Sequence, residues 1–145
     1  AGRLIGVNTA IRSSSGSSAG VGFSIPADLV NRIVPQLIAK GRAYRPGIGI
    51  VPIDPFIVSQ NGIRGVVIDS ITPRTPAAES GLTPYNRRTR QVGDVIVGVN
   101  GRIIETLSTL VAELDRVGID NVAELTVERD GKSRKVRVKV IDTTR

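Results

Sequence analysis

Apolar residues are distributed along this chain in short blocks, and the period of each block assigns an element. Residues 4–11 (LIGVNTAI) read as a strand, residues 13–18 (SSSGSS) as a flexible loop, and residues 21–25 (VGFSI) as a second strand, so the two predict a hairpin. Pro26 and Asp28 open a helix with a carboxylate in its first turn. Leu29, Val30, Ile33, Leu37 and Ile38 recur there at three- and four-residue spacing, and Gly41 ends it. Pro35 falls inside that pattern and removes one backbone hydrogen bond, which predicts a kink or break near residues 31–34. A hairpin with one helix buries too little apolar surface to stand alone, so residues 1–41 call for the rest of a barrel. Residues 42–45 (RAYR) read as a short basic linker.

Beyond the linker the pattern describes a closed set of elements. Residues 48–52 are a strand, followed by a loop containing Pro55, Asn61 and Gly62; residues 65–71 form a buried strand by their apolar run. Residues 76–81 (PAAESG) predict a short helix closed by glycine. Val95, Val97 and Val99 alternate along a strand that ends in the Asn100-Gly101 turn. Residues 107–117 are helical, apolar at Leu107, Leu110, Val111, Leu114 and Val117. Residues 125–127 and 136–140 close the domain as a hairpin around Asp130-Gly131.

Composition narrows the class. With 40% hydrophobic but only 3% aromatic residues, the core must be Val, Ile and Leu, and 16 glycines with 8 prolines favour a turn-rich, mainly β chain with some helix (α+β). The chain has no run of about 18 apolar residues, the length needed to span a bilayer. There is no cysteine, so disulfides and thiolate metal sites are excluded; there is no histidine, so these residues hold neither the base of a Ser-His-Asp triad nor a histidine-ligated metal. Residues 1–45 carry six basic side chains against Asp28, for +5 of the total +7. Basic residues are scattered over both segments, and the cluster Arg87-Arg88-Thr89-Arg90 has only Tyr85 as an aromatic neighbour. Nucleic-acid binding is therefore not expected, and the cluster reads as a solvated loop. Ala1 is not an initiator methionine and the chain starts directly on a strand approach, which predicts a piece of a longer protein.

The most informative candidate site is Gly47-Ile48-Gly49-Ile50. Two glycines let successive N–H groups point at one spot, a concavity that suits an anion such as a terminal carboxylate, although the same spacing also suits a tight start to a strand. Its surroundings decide between the two. Residues 2–11 (GRLIGVNTAI) and 20–26 (GVGFSIP) closely resemble the end of the trypsin-like domain of HtrA/Deg serine proteases; residues 70–82 (SITPRTPAAESGL), 93–96 (GDVI) and 99–101 (VNG) resemble the PDZ domain those proteases carry next.

The resemblance implies a division into residues 1–41, the last strands and C-terminal helix of a trypsin-like β-barrel; 42–45, a linker; and 46–143, a PDZ domain. It further implies that N–H groups of Ile48, Gly49 and Ile50 hold a peptide carboxylate, with the peptide added as a strand and its last side chain in a pocket lined by Ile48, Ile50 and one stripe of the second helix. Leu110 and Leu114 are candidates for that stripe or for plain core, and Val111 is a rival wall. Branched Ile48 should narrow the pocket and Gly47 should loosen the loop. Arg45 is a candidate for attracting the carboxylate, against the plainer reading of an exposed linker arginine. Ile11 and Arg12 would belong to the specificity and activation loop of the protease. No catalytic residue lies in this chain, because the family's Gly-Asn-Ser-Gly-Gly nucleophile turn precedes its first residue. No metal or cofactor is implied. Expected partners are unfolded or C-terminally tagged proteins, in a trimer-based homo-oligomer, in a bacterial envelope or an equivalent organelle compartment. The alternative is a non-catalytic PDZ module that tethers partners.

Overall fold

The computed structural model describes residues 2–11 and 22–144, and the chain divides into two compact units between Tyr44 and Arg45. In the first unit, β1 (Gly6–Ile11) pairs antiparallel with β2 (Gly22–Pro26), and α1 (Ala27–Lys40) follows without a connecting loop. The Ala27 N–H donates to Ile5 O (3.0 Å), fixing the start of the helix to the approach of β1. Gly41, at φ 69°, ends it and donates its N–H to Leu37 O (2.9 Å), a position glycine fills without Cβ strain. Of the kink or break expected near residues 31–34, the break does not occur: α1 runs through Pro35. Gln36 Nε2 donates to Arg32 O (3.0 Å) in the turn that the proline weakens, and no α1 residue is buried, so no packed neighbour forces an interruption. Ile5 and Ile38 are 89% and 81% exposed, and the unit has no core of its own among the described residues.

The second unit is built around an antiparallel sheet with strand order β4 (Ile50–Pro52), β5 (Val66–Ile71), β6 (Val95–Val99), β8 (Val122–Arg129) and β9 (Lys132–Lys139); β7 (Arg102–Ile103) pairs with β6 beside this path. A separate two-stranded clasp joins β3 (Pro46–Gly47) to β10 (Ile141–Asp142). Both hairpin turns have the all-positive φ that two-residue turns demand: 48° and 79° at Asn100-Gly101, 52° and 73° at Asp130-Gly131. The core on one face of the sheet contains Ile48, Ile68, Ile96, Leu110, Leu125 and Val138.

Three helices complete the unit: α2 (Pro55–Gln60), α3 (Pro76–Glu79) and α4 (Leu107–Val117). Helix α2 occupies a stretch expected to be loop. Asp54 caps it by accepting the Phe56 N–H (2.8 Å), and Pro55 supplies a preset φ at the first turn. In β6, the simple alternation of Val95, Val97 and Val99 is interrupted. A register shift against β8 between Ile96 and Gly98 puts both Ile96 and Val99 in the core. Helix α4 opens with a reciprocal cap, in which Thr106 Oγ1 accepts from Thr109 N (3.2 Å) and Thr109 Oγ1 from Thr106 N (3.0 Å).

Among the described residues one charged side chain is fully buried, Asp94. Its Oδ2 accepts from Thr83 N (2.7 Å) and Arg134 Nη2 (2.6 Å), and Arg129 Nε stands 3.8 Å from Oδ1. The Asp94 N–H in turn donates to Thr83 O (2.8 Å). Gly93 precedes it because a Cβ there would lie 2.2 Å from the same Thr83 oxygen. The segment leading into β6 is thus stapled to residues 81–83 and to the β8–β9 hairpin.

Candidate functional site

The segment from Arg45 to Pro52 is held from both sides. Arg45 N donates to Asp142 Oδ1 (3.2 Å), and Arg45 O accepts from Thr143 N (2.8 Å) and Thr143 Oγ1 (2.9 Å), so its backbone belongs to the second unit while the residue is exposed. Gly47 does not loosen the loop. It pairs with Ile141 in the clasp, and a Cβ on it would stand 2.6 Å from Thr143 Cγ2, so the missing side chain permits close packing rather than freedom.

Past the clasp the backbone turns sharply. Gly49 has φ 92°, and a Cβ there would meet the Thr75 side chain at 2.2 Å. Two bonds direct this turn: Ala77 N donates to Ile48 O (3.0 Å) and Thr72 N to Gly49 O (2.9 Å). Thr75 Oγ1, lying over Gly49, donates to Thr72 O (2.6 Å). With the carbonyls tied to residues 72–77, the Ile48 and Gly49 N–H groups bond to no other backbone group among the described residues. The chain then enters β4, which among the described residues pairs with β5 along one side only and has its other side as a sheet edge.

The side chains around this turn separate by depth. Ile48 is buried in the core cluster and Ile50 packs partly against it. On α4, Leu110 and Leu114 are buried at 2% and 3%, whereas Val111 is 47% exposed. The two leucines are therefore core residues, and Val111 is the apolar side chain of that stripe that reaches solvent. Ile11 closes β1 opposite Gly22; Arg12 and the serine-rich stretch at residues 13–18 lie outside the described residues. Among the described residues no group of His, Cys, Asp or Glu has the makings of a metal site, and no helix is long and apolar enough to cross a membrane. The sequence reading missed Thr75 as the side chain against Gly49. Its only local signal is the Thr-Pro pair that starts α3.

Against known proteins, the profile of the PDZ domain matches residues 45–140. The chain belongs to the PDZ domain family. The PDZ domain and the unit before it are together similar to Protease Do-like 1, chloroplastic, of Arabidopsis thaliana, with 39% identity over 94% of this chain and 32% of that protein. They are 34% identical to a probable periplasmic serine endoprotease, DegP-like, of Brucella suis biovar 1, over 96% of this chain and 26% of that one. Among solved structures, the HtrA-type protease AlgW with decapeptide matches at TM-score 0.74 and 27% identity, covering 98% of this chain and 43% of that chain. The resemblance to HtrA/Deg proteases is therefore borne out, as is the fold, the last elements of a protease domain followed by a PDZ domain. The chain spans about a third or less of the curated relatives it matches.

Proposed function

We propose that residues 45–143 bind the C-terminal end of a polypeptide, held by the N–H groups of Ile48, Gly49 and Ile50 and added as a strand to the free edge of β4. One observation carries this reading. The Ile48 and Gly49 carbonyls are tied down, leaving their N–H groups without backbone partners beside an open sheet edge. An anion at that spot gains charge-assisted hydrogen bonds, and the adjoining strand supplies ladder bonds to the rest of the peptide. Val111 and Ile50 then offer the apolar wall for the last side chain, with Ile48, Leu110 and Leu114 as the floor beneath it. Arg45, exposed just before the turn, adds a permanent positive charge nearby.

The division into residues 1–41, a linker at 42–45 and a PDZ domain at 46–143, with Ile11 and Arg12 in a protease specificity loop, is our reading from the likeness to HtrA/Deg proteases. In the full-length protein, the domain recruits unfolded or C-terminally tagged substrates to a trimer-based serine endopeptidase. Its compartment is the periplasm or its organellar equivalent, as the relatives' names suggest. Without a histidine or a nucleophile turn, the chain by itself binds peptides and does not hydrolyse them.

Titration of one apolar-ended peptide as free acid and as amide tests the site. Charged hydrogen bonds contribute about 1.5–3 kcal/mol each, so amidation is expected to weaken binding about tenfold or more. Equal affinities would reduce the glycine turn to a tight start of β4.

A further inference from the structure

Strand β5 has two faces, and only one belongs to the core just described. Val66 and Ile68 point into that core, whereas Val67 and Asp69 line a cavity of about 580 Å³ on the opposite side of the sheet. Helix α2 forms one wall with Ile57 and Val58, and the segment from Tyr85 to Val92 forms the other. Both walls are fixed to the sheet: Ile53 N donates to Val67 O (2.9 Å), and Tyr85 N donates to Ile68 O (2.7 Å). Such a volume lies within the range of ligand sites, roughly 300–1,000 Å³.

The mouth of the cavity has a defined charge. Arg87 grips Asp69 through both carboxylate oxygens (3.0 and 2.7 Å), and Asp54 is engaged as the cap of α2. Asn86 organises the loop between them. Its Oδ1 accepts from Arg88 N (3.0 Å) and Thr89 N (3.2 Å), its N–H donates to Gln91 O (2.9 Å), and Arg90 follows at φ 56°. Arg90 lines the cavity, and its side chain has no ion pair or hydrogen bond among the described residues. Asp54 keeps its negative charge but lies against the N-terminus of α2, where the Phe56 N–H offsets it, whereas Arg90 has no such partner among the described residues. An apolar chamber beside that cation is complementary to an apolar group that carries a carboxylate. The wall residues Ile57 and Val92 are themselves partly exposed, and Phe56 extends the apolar surface beyond the cavity.

We propose that this cavity is a second binding site of the domain, on the sheet face opposite the main core, and that it takes an internal acidic-apolar segment of a partner polypeptide. The apolar side chain of the segment rests on Val67 and Val58, and its carboxylate meets Arg90. No free peptide end is required, which separates this site chemically from the glycine turn.

The test uses the whole 145-residue chain and a peptide blocked at both ends, acetyl-GEFLEG-amide, followed by backbone-amide NMR. Binding is expected to move the amides of Ile57, Val67, Tyr85 and Arg90. Replacing both glutamates of the peptide by glutamine is expected to weaken it about fivefold, and Arg90→Glu about tenfold. Arg90→Gly should also weaken binding while relieving the positive φ, so a loss in both variants comes from the charge and not from the loop. Ile57→Glu, at a half-exposed position, should abolish binding of the blocked peptide, yet affinity for a free-acid peptide should stay within about twofold. Unmoved amides at this cavity, or an Arg90→Glu variant that binds as well as the parent, would overturn the proposal. So would concentration-dependent shifts of the same amides without peptide, which would identify the occupant as a second copy of the chain.

Discussion

Asp94→Ala is expected to be among the most destabilising single changes in the PDZ domain. The carboxylate is fully buried, and removing it leaves the Thr83 N–H without its 2.7 Å acceptor and Arg134 without its 2.6 Å partner. An orphaned buried donor costs about 1–3 kcal/mol, and breaking a fully buried ion pair about 3–5 kcal/mol. The Arg134 side chain is 39% exposed and recovers part of its hydration, so the expected sum is about 2–4 kcal/mol. For a domain of this size each kcal/mol moves Tm by about 4–8 °C, which predicts a fall of at least about 8 °C. Asp94→Asn keeps an acceptor for Thr83 but loses the charge, and should cost about half as much. Urea unfolding of the parent, Asp94→Ala, Arg134→Met and the double variant gives the coupling directly, with about 1.5 kcal/mol or more expected. If Asp94→Ala lost less than about 1 kcal/mol, or if the two sites were additive, the staple would not be what joins the hairpin to β6.

Gly49→Ala should weaken both stability and peptide binding, because the side chain enters a positive-φ position 2.2 Å from Thr75; adding Thr75→Ala should relieve the clash but not the backbone strain, giving partial rescue in a thermal melt and a peptide titration. Glu124 is held below its ordinary pKa of 4.5, first by the Lys135 hydrogen bond and then by the Lys135 and Arg137 charges. Its contribution to stability is thus complete above the unfolded pKa and lost as pH falls through the lower folded one; side-chain NMR should place its midpoint below 4.5, and Lys135→Ala should raise it. Residues 45–143 are expected to fold without residues 1–41, with cooperative unfolding as the readout, because the core cluster lies wholly within the later segment.

Elements with local signals were legible in the sequence. The Asp130-Gly131 turn with its alternating flanks, and α4 with its apolar spacing, appear where expected. Helix α2 was not, because Phe56-Ile57-Val58 is shorter than one helical period and Asn61-Gly62 reads as a turn; the overlooked signal was the Asp54-Pro55 start. Leu110, Val111 and Leu114 were equally apolar on paper, and only the sheet beneath α4 sorts them into core and surface. The partners of Asp94 and Gly49 come from 11 to 40 residues away in sequence, so no local pattern announces them.

The clasp between β3 and β10 brings Arg45 and Thr143 within one hydrogen bond of each other. A domain whose ends meet behaves topologically as a closed loop, and inserting it into a longer chain adds mass without adding span. Its order of elements is then not sacred. A short bridge from residue 143 to residue 45, with new ends opened at the Asp130-Gly131 turn, would preserve every strand pairing and the glycine turn beside the clasp. Circular permutation at that turn should therefore yield a working domain, whereas opening the chain between Gly47 and Ile50 should not.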